Sequence, residues 1–92
     1  MSVNKALEEI SAIERLIRPY EYQSYEAKRV LNDLAKLREA LNKMDKEDIR
    51  SALEKISTLE TYAEPYRYFG PVEEALRHAQ RLREELKRLL ES

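Results

Sequence analysis

The sequence predicts an all-α fold, an antiparallel bundle of four helices formed by two tandem copies of an αα-hairpin, at about 3–44 and 45–91. Three observations lead to it: four segments have apolar residues at steps of three and four, one segment is repeated, and the chain has a single glycine. Sheets and long loops need glycine at positive φ angles, whereas helices need it mainly at their ends. At 92 residues the chain is expected to form one domain, residues 1–92.

A sequence repeat relates the two halves of the chain. ALEEISAIERLIRPYEY at residues 6–22 and ALEKISTLETYAEPYRY at 52–68 are identical at 9 of 17 positions. After a one-residue slip in the turn, LREALNKM at 37–44 matches LREELKRL at 82–89. Each half can form two helices but is too short to bury both apolar faces alone. We therefore predict that the hairpins pack together and that corresponding residues are equally buried.

Each half contains two apolar stripes. The first half has Val3, Leu7, Ile10, Ile13, Ile17 and Tyr20, then Ala27, Val30, Leu34, Leu37, Leu41 and Met44. The second half has Ile49, Leu53, Ile56, Leu59, Ala63 and Tyr66, then Val72, Ala75, Ala79, Leu82, Leu86 and Leu89. This spacing places each set on one face of a helix. The residues expected in the core include Leu34, Leu37, Ile56, Leu59, Ala79 and Leu82.

Prolines and capping residues predict where the helices end and begin. Pro19 is expected to stop the first helix. The predicted caps are Ser24 for the second helix, Asp45 or Asp48 for the third and Gly70, followed by Pro71, for the fourth. A structural alternative keeps one kinked helix running through Pro19 or Pro65, because the tyrosine-rich segments contain no glycine before Gly70.

Composition excludes several classes of protein. The chain has no cysteine, which removes disulfides, thiolate metal sites and cysteine nucleophiles. Its 17 basic and 18 acidic residues give a net charge of −1, without the excess typical of a nucleic-acid binder. Without an apolar run of membrane-spanning length or a signal-peptide pattern, we expect a cytoplasmic protein that binds no membrane. The 38% charged content is typical of a thermostable protein or a designed bundle.

No catalytic or metal-binding pattern is found. His78, the only histidine, corresponds to Asp33 of the first hairpin, so the two could meet in a contact that we interpret as structural. No serine nucleophile is spaced recognisably with it, and the paired Glu-x-x-His motifs of a di-iron bundle are missing. One glycine excludes a glycine-rich phosphate loop. We therefore predict no enzymatic activity, no metal and no cofactor.

The charged residues are predicted to lie on solvated helix faces. Pairs four residues apart are Glu14 with Arg18, Glu39 with Lys43, Glu73 with Arg77, and Glu84 with Arg88. No carboxylate lies on an apolar stripe, so none is expected to have its pKa raised by burial.

The aromatic residues lie in two windows of the sequence, near the first and third turns. They are Tyr20, Tyr22 and Tyr25, then Tyr62, Tyr66, Tyr68 and Phe69, and together we call them the aromatic pole. In an up-and-down bundle both turns lie at the same end. Two interpretations follow. In the first, the rings close the end of the bundle, because a tyrosine can bury its ring while its hydroxyl stays in water. Alternatively, they form a recognition surface.

The recognition hypothesis assigns distinct roles within the aromatic pole. Tyr20 and Tyr66 continue the apolar stripes and are expected to be mainly buried. Tyr22 and Tyr68 lie two residues further along, point elsewhere and are expected to be exposed. The predicted partner-binding residues are Tyr22, Tyr68, Arg18, Arg67 and Phe69.

The predicted function is that of a non-enzymatic helical interaction protein, an accessory subunit that docks a larger protein through the aromatic pole or a helix face. One alternative is a nucleic-acid accessory factor that uses basic helices two and four. A second is a structural or designed bundle with no ligand. Self-association also stays open, because such helices pair between chains as well as within one.

Overall fold

A computed structural model describes residues 2–91, with side chains from residue 3 onward, so the first and last residues of the predicted domain lie outside it. The described residues form four α-helices and no strand. The helices are α1 (Ser2–Ile17), α2 (Tyr25–Lys43), α3 (Lys46–Ala63) and α4 (Gly70–Glu91), and short 3₁₀ helices at Arg18–Tyr20 and Glu64–Tyr66 follow α1 and α3. The predicted all-α fold of four packed helices is confirmed.

Proline ends α1 and α3. Pro19 and Pro65 each lie second in the 3₁₀ helix that follows. Proline has no N–H, and its ring clashes with the carbonyl four residues earlier, which disfavours a continuing α-helix. The Glu21 N–H instead donates to the Arg18 carbonyl at 3.1 Å, and the second 3₁₀ helix closes in the same way. The alternative of one kinked helix through each proline is therefore wrong.

Side-chain caps begin α2 and α3. The Ser24 hydroxyl accepts a hydrogen bond from the Ala27 N–H at 3.2 Å. The Asp45 carboxylate accepts from the N–H groups of Glu47 and Asp48 at 3.1 and 3.2 Å. Each cap satisfies donors that have no partner inside the first helical turn. The predicted caps at Ser24 and Asp45 are confirmed.

Helix α4 begins one residue earlier than its sequence predicts. Gly70, the predicted cap, is already helical, and the preceding Phe69 carbonyl accepts from the Glu73 N–H at 3.1 Å. Three residues, 67–69, therefore separate α4 from its 3₁₀ helix, whereas four residues, 21–24, separate α2 from the first one. The one-residue slip of the sequence repeat thus lies in the turn.

The helices pack side by side along one axis. Helices α1 and α3 each pack against both α2 and α4, and the α1–α4 interface is the most extensive among the described residues. The Cα atoms span 36 × 21 × 20 Å, and helices of 16 to 22 residues are about 24–33 Å long, so every helix follows the long axis. Because short turns connect packed neighbours, consecutive helices run antiparallel.

Apolar residues from all four described helices form the core. The buried cluster contains Ala6, Ile10, Ile13, Leu34, Leu37, Ala40, Leu41, Ile49, Ile56, Leu82, Leu86 and Leu89. It includes four of the six predicted core residues, namely Leu34, Leu37, Ile56 and Leu82. The prediction was wrong for Leu59 and Ala79, which are only half-buried.

Positions that the repeat equates are buried alike in some pairs and unlike in others. Leu7 and Leu53 are both half-buried, and Ile10 and Ile56 are both buried. Ala6 and Ile13 are buried, whereas their counterparts Ala52 and Leu59 are half-buried. Both counterparts lie on α3, and α3 packs on α2 less extensively than α1 packs on α4. The two hairpins therefore share a pattern but differ in depth of packing.

An ion pair between helices recurs at corresponding positions of the two hairpins. The Arg38 guanidinium of α2 donates to the Glu14 carboxylate of α1, and Arg83 of α4 donates to Glu60 of α3 at 2.9 Å. The predicted pair of Glu14 with Arg18 is wrong, because Glu14 reaches across to α2. Two predicted pairs along single helices are confirmed: Glu39 with Lys43 at 3.0 Å and Glu73 with Arg77 at 2.9 Å.

Two carboxylates are more buried than the sequence predicts. Glu85 is 9% exposed at the position that corresponds to Ala40, and the Arg88 guanidinium donates to it. Burial raises the pKa of the Glu60 carboxyl above its ordinary value and outweighs the opposite effect of the Arg83 charge. Both residues flank an apolar stripe, Glu60 beside Leu59 and Glu85 beside Leu86.

Met44 ends α2 in the left-handed region, with φ 55° and ψ 37°. It was predicted on the apolar stripe, but its side chain is 47% exposed. A left-handed residue with a Cβ atom costs about 1–2 kcal/mol, and glycine avoids that cost but loses more chain entropy on folding.

Replacing Met44 with glycine is therefore expected to raise the free energy of unfolding by about 0.5–1 kcal/mol, as measured by urea denaturation. Met44→Ala is the control, since alanine keeps the Cβ atom and should gain nothing. Equal stabilisation by both substitutions would contradict the backbone explanation.

Candidate functional site

The aromatic pole combines rings from the first and third turns. The Tyr20 and Phe69 rings meet edge to face, with centroids 5.7 Å apart and 73° between their planes. Tyr20 precedes α2 and Phe69 precedes α4, so this contact joins the two hairpins. The two turns thus lie at the same end of the bundle, as predicted.

Hydrogen bonds order the backbone that carries these rings. The Tyr20 carbonyl accepts from the N–H groups of Gln23 and Ser24, each at 3.1 Å. The Tyr66 carbonyl accepts from the Phe69 N–H at 3.0 Å. A proline one residue before each tyrosine fixes its own φ near −65°. The rings are therefore presented on two closed turns.

The most exposed rings are those assigned to partner binding. Tyr22 and Tyr68 are 91% and 87% exposed, as predicted. Tyr25 and Tyr62, which sequence reasoning did not assign to the site, are also exposed, and Phe69 is partly exposed. Closing the end of the bundle therefore involves mainly Tyr20 and Phe69, and most of the aromatic pole faces solvent.

The prediction that Tyr66 is mainly buried was wrong, because its side chain is 62% exposed while Tyr20 is half-buried. The difference follows from what covers each ring. Phe69 packs on Tyr20, but the first-turn residue that corresponds to Phe69 is Gln23. An amide side chain offers Tyr66 no matching aromatic cover. The pole therefore closes over one tyrosine only.

The two sides of the pole carry opposite charges. The basic side consists of Arg15, Arg18, Lys28 and Arg29, which are exposed and have no ion pair with any residue that the structure describes. The acidic side consists of Glu64, Glu73 and Glu74, of which Glu73 pairs with Arg77 at 2.9 Å, so its acidity is a net excess of carboxylates. Arg67, a predicted binding residue, donates to Glu64 at 3.0 Å, so its charge is already paired. Of the two predicted arginines, Arg18 is the available one.

Two grooves lie on the surface of the bundle. A shallow groove on the basic side is lined by Ser11, Glu14, Arg15, Arg18 and Pro19. A second groove of about 250 Å³ lies between α2 and α3, with Ala40, Ala52 and Ile56 among charged residues of both signs. Both open to solvent, and neither has the enclosed apolar lining that is typical of a small-molecule site.

His78 does not contact Asp33, so that prediction was wrong. Its Nδ1 lies 2.5 Å from Glu9 Oε1 across the α1–α4 interface. Asp33 lies on α2, diagonally opposite α4, and lines the groove toward α3. Among the described residues, Glu9 is the hydrogen-bond partner of His78, so no hydroxyl nucleophile is paired with the ring. This geometry is that of a structural contact between helices.

No protein-family model, curated protein or solved structure matches the chain. None of the helices within residues 2–91 is long and apolar enough to cross a membrane. In the same part of the chain, no group of three or more His, Asp or Glu side chains could hold a metal ion. The aromatic pole is the feature from which a function can be inferred.

Proposed function

We propose that the chain is a non-enzymatic interaction protein, a small accessory subunit that binds a protein partner through the aromatic pole. The exposure of Tyr22 and Tyr68 carries the proposal. Tyrosine is enriched at binding hot spots for three reasons: its ring buries a large area, its hydroxyl forms hydrogen bonds, and binding immobilises only two side-chain torsions. Rings that folding leaves exposed on ordered turns are free to supply binding energy.

The distribution of apolar surface favours the pole over a helix face. The large apolar side chains exposed among residues 3–91 are Tyr22, Tyr25, Met44, Tyr62, Tyr66, Tyr68 and Phe69. All but Met44 belong to the pole. Clustered exposure of this kind marks interaction sites, whereas isolated exposed residues are ordinary. It also supports a binding role over a bundle with no ligand.

Ion pairing weakens the nucleic-acid alternative. On α4, the guanidinium groups of Arg77, Arg83 and Arg88 each donate to a glutamate. A cation that is already paired with a carboxylate is less available to neutralise a phosphate and so to release the counterions condensed on a nucleic acid. Helix α4 therefore offers less basic surface than its sequence suggests, and this alternative depends mainly on exposed cations such as Lys28 and Arg29 of α2. The cluster of exposed rings makes protein binding the better-supported function.

The double substitution Tyr22→Ala with Tyr68→Ala tests the proposal. The melting temperature should change little, because both rings are almost fully exposed. Capture of a protein partner by the tagged chain, either a host protein or an untagged second copy, should weaken by about 30-fold or more, since a hot-spot ring contributes about 2 kcal/mol or more. Quantitative pull-down and thermal denaturation measure the two effects.

The matched control is Asn42→Ala with Glu54→Ala, two exposed residues outside the aromatic pole. This variant should bind and melt like the wild type. A tyrosine variant that unfolds readily would assign the rings to stability. Unchanged capture by that variant would exclude the pole as the docking surface and favour a helix face.

We also infer that the chain is a tandem duplication of an αα-hairpin, with copies at about 3–44 and 45–91. The nine identities in residues 6–22 and 52–68 support it. So does the recurrence of the Glu14–Arg38 pair as Glu60–Arg83, since unrelated hairpins have no reason to share a cross-helix contact.

A further inference from the structure

We propose that the partner of the aromatic pole is a second copy of this chain, bound about a twofold axis that sets the basic side of one pole against the acidic side of the other. The inference rests on the proposed docking function and names its partner. Two observations support it: the inverted charge at corresponding positions and the self-complementary arrangement that results.

Charge is inverted between corresponding residues of the two turns. Arg18 corresponds to Glu64, Lys28 to Glu73, and Arg29 to Glu74. Residues 14–29 contain four basic and three acidic residues, whereas residues 60–74 contain one basic and four acidic residues. Glu21 and Arg67 are inverted in the other sense, but the first turn keeps a net charge of +1 and the second a net charge of −3, while both keep their prolines and tyrosines.

A surface with one basic and one acidic side is complementary to itself. In a twofold dimer, residue i of one subunit meets residue j of the other, and j meets i. The basic side of each pole therefore faces the acidic side of the other, so the favourable contact occurs twice in the dimer. A polyanion such as RNA would be attracted by Arg18 but repelled by Glu74, so the charge pattern favours a second copy.

The size of the pole limits the strength of such a dimer. Across the bundle the Cα atoms span 21 × 20 Å, so the end face is small beside a standard interface of about 800 Å² per partner. Interfaces at the low end of the range are weak and transient. The dimer is therefore expected to have a dissociation constant on the order of micromolar, to weaken with salt, and to need the exposed rings.

Two charge-reversal variants test the twofold arrangement by sedimentation equilibrium. Arg18→Glu with Arg29→Glu makes both turns net acidic, and Glu64→Arg with Glu74→Arg makes both turns net basic. Each variant alone should dimerise at least tenfold more weakly than the wild type, because like charges now face each other. An equimolar mixture should recover dimers of one acidic and one basic variant.

The control reverses two exposed cations outside the aromatic pole, Lys5→Glu with Arg81→Glu, and should dimerise like the wild type. Thermal denaturation checks that every variant folds. A wild type that stays monomeric at several hundred micromolar overturns the inference, and so does a mixture that recovers no dimer. Tighter binding of a labelled single-stranded RNA than of a second copy also overturns it, in favour of nucleic acid.

Failure of the inference is distinguishable from failure of the docking function. A monomeric wild type that still captures a host protein through Tyr22 and Tyr68 loses only the proposed self-association. A monomer whose capture is insensitive to both tyrosines loses both proposals.

Discussion

Truncating Leu82 to alanine is expected to lower the free energy of unfolding by about 2–5 kcal/mol. Leu82 is fully buried in the cluster that joins all four described helices. Its truncation removes apolar atoms from the core and leaves a cavity that the surrounding helices fill only in part. Urea denaturation measures the change, and an unchanged m-value would show that the variant still unfolds as one unit.

Leu59→Ala provides the comparison for Leu82→Ala. Leu59 lies on a predicted apolar stripe like Leu82, but it is only half-buried. Its truncation loses less buried area and leaves a site that water can reach, so the cost should be clearly smaller than that at Leu82. Equal losses at the two positions would mean that stripe membership, rather than observed burial, determines the contribution to stability.

Burial on α3 shows what the sequence could and could not predict. Spacing of three and four identified part of the inward faces, as Ile56 and Leu82 show, but it missed the buried residues Leu31 and Leu76 beside the stripes. It could not predict how closely each neighbour approaches these faces. Leu59 is only half-buried although its counterpart Ile13 is buried, and no periodic pattern within one helix encodes how closely a neighbouring helix packs.

The aromatic pole was predictable in location but not in detail. The two proline–tyrosine turns identified the end of the bundle, and the exposure of Tyr22 and Tyr68 followed from their positions. The exposure of Tyr66 was missed because Tyr66 was assumed to be as buried as Tyr20, to which it corresponds in the repeat. A signal existed in the sequence, since Gln23 stands where the other turn has Phe69.

The contact of His78 was missed for a different reason. The repeat makes His78 correspond to Asp33, but correspondence between two copies does not imply adjacency. Helices α2 and α4 lie diagonally across the bundle, so the imidazole meets Glu9 of α1 instead. Which helices are neighbours is set by packing of the whole bundle, which pairwise alignment of its halves does not reveal.

Enlarging Ala6 to leucine is expected to lower the free energy of unfolding by about 1–3 kcal/mol, whereas the same change at Ala52 is expected to be tolerated. The repeat equates these two alanines. Ala6 is fully buried in the core cluster, so added methylene groups must displace its neighbours. Ala52 lines the open groove of about 250 Å³ between α2 and α3, where a leucine has room.

At Ala52 the added side chain should cover apolar groove surface near Ile56 and raise the free energy of unfolding by up to about 1 kcal/mol, since each buried methylene contributes about 0.8 kcal/mol. Paired denaturation curves of Ala6→Leu and Ala52→Leu therefore test the unequal packing directly. Losses of the same size in both variants would mean that the groove between α2 and α3 is closed in solution. Opposite signs would place the spare volume of this bundle in the α2–α3 interface, where further leucines at groove positions such as Ser51 should also stabilise the fold.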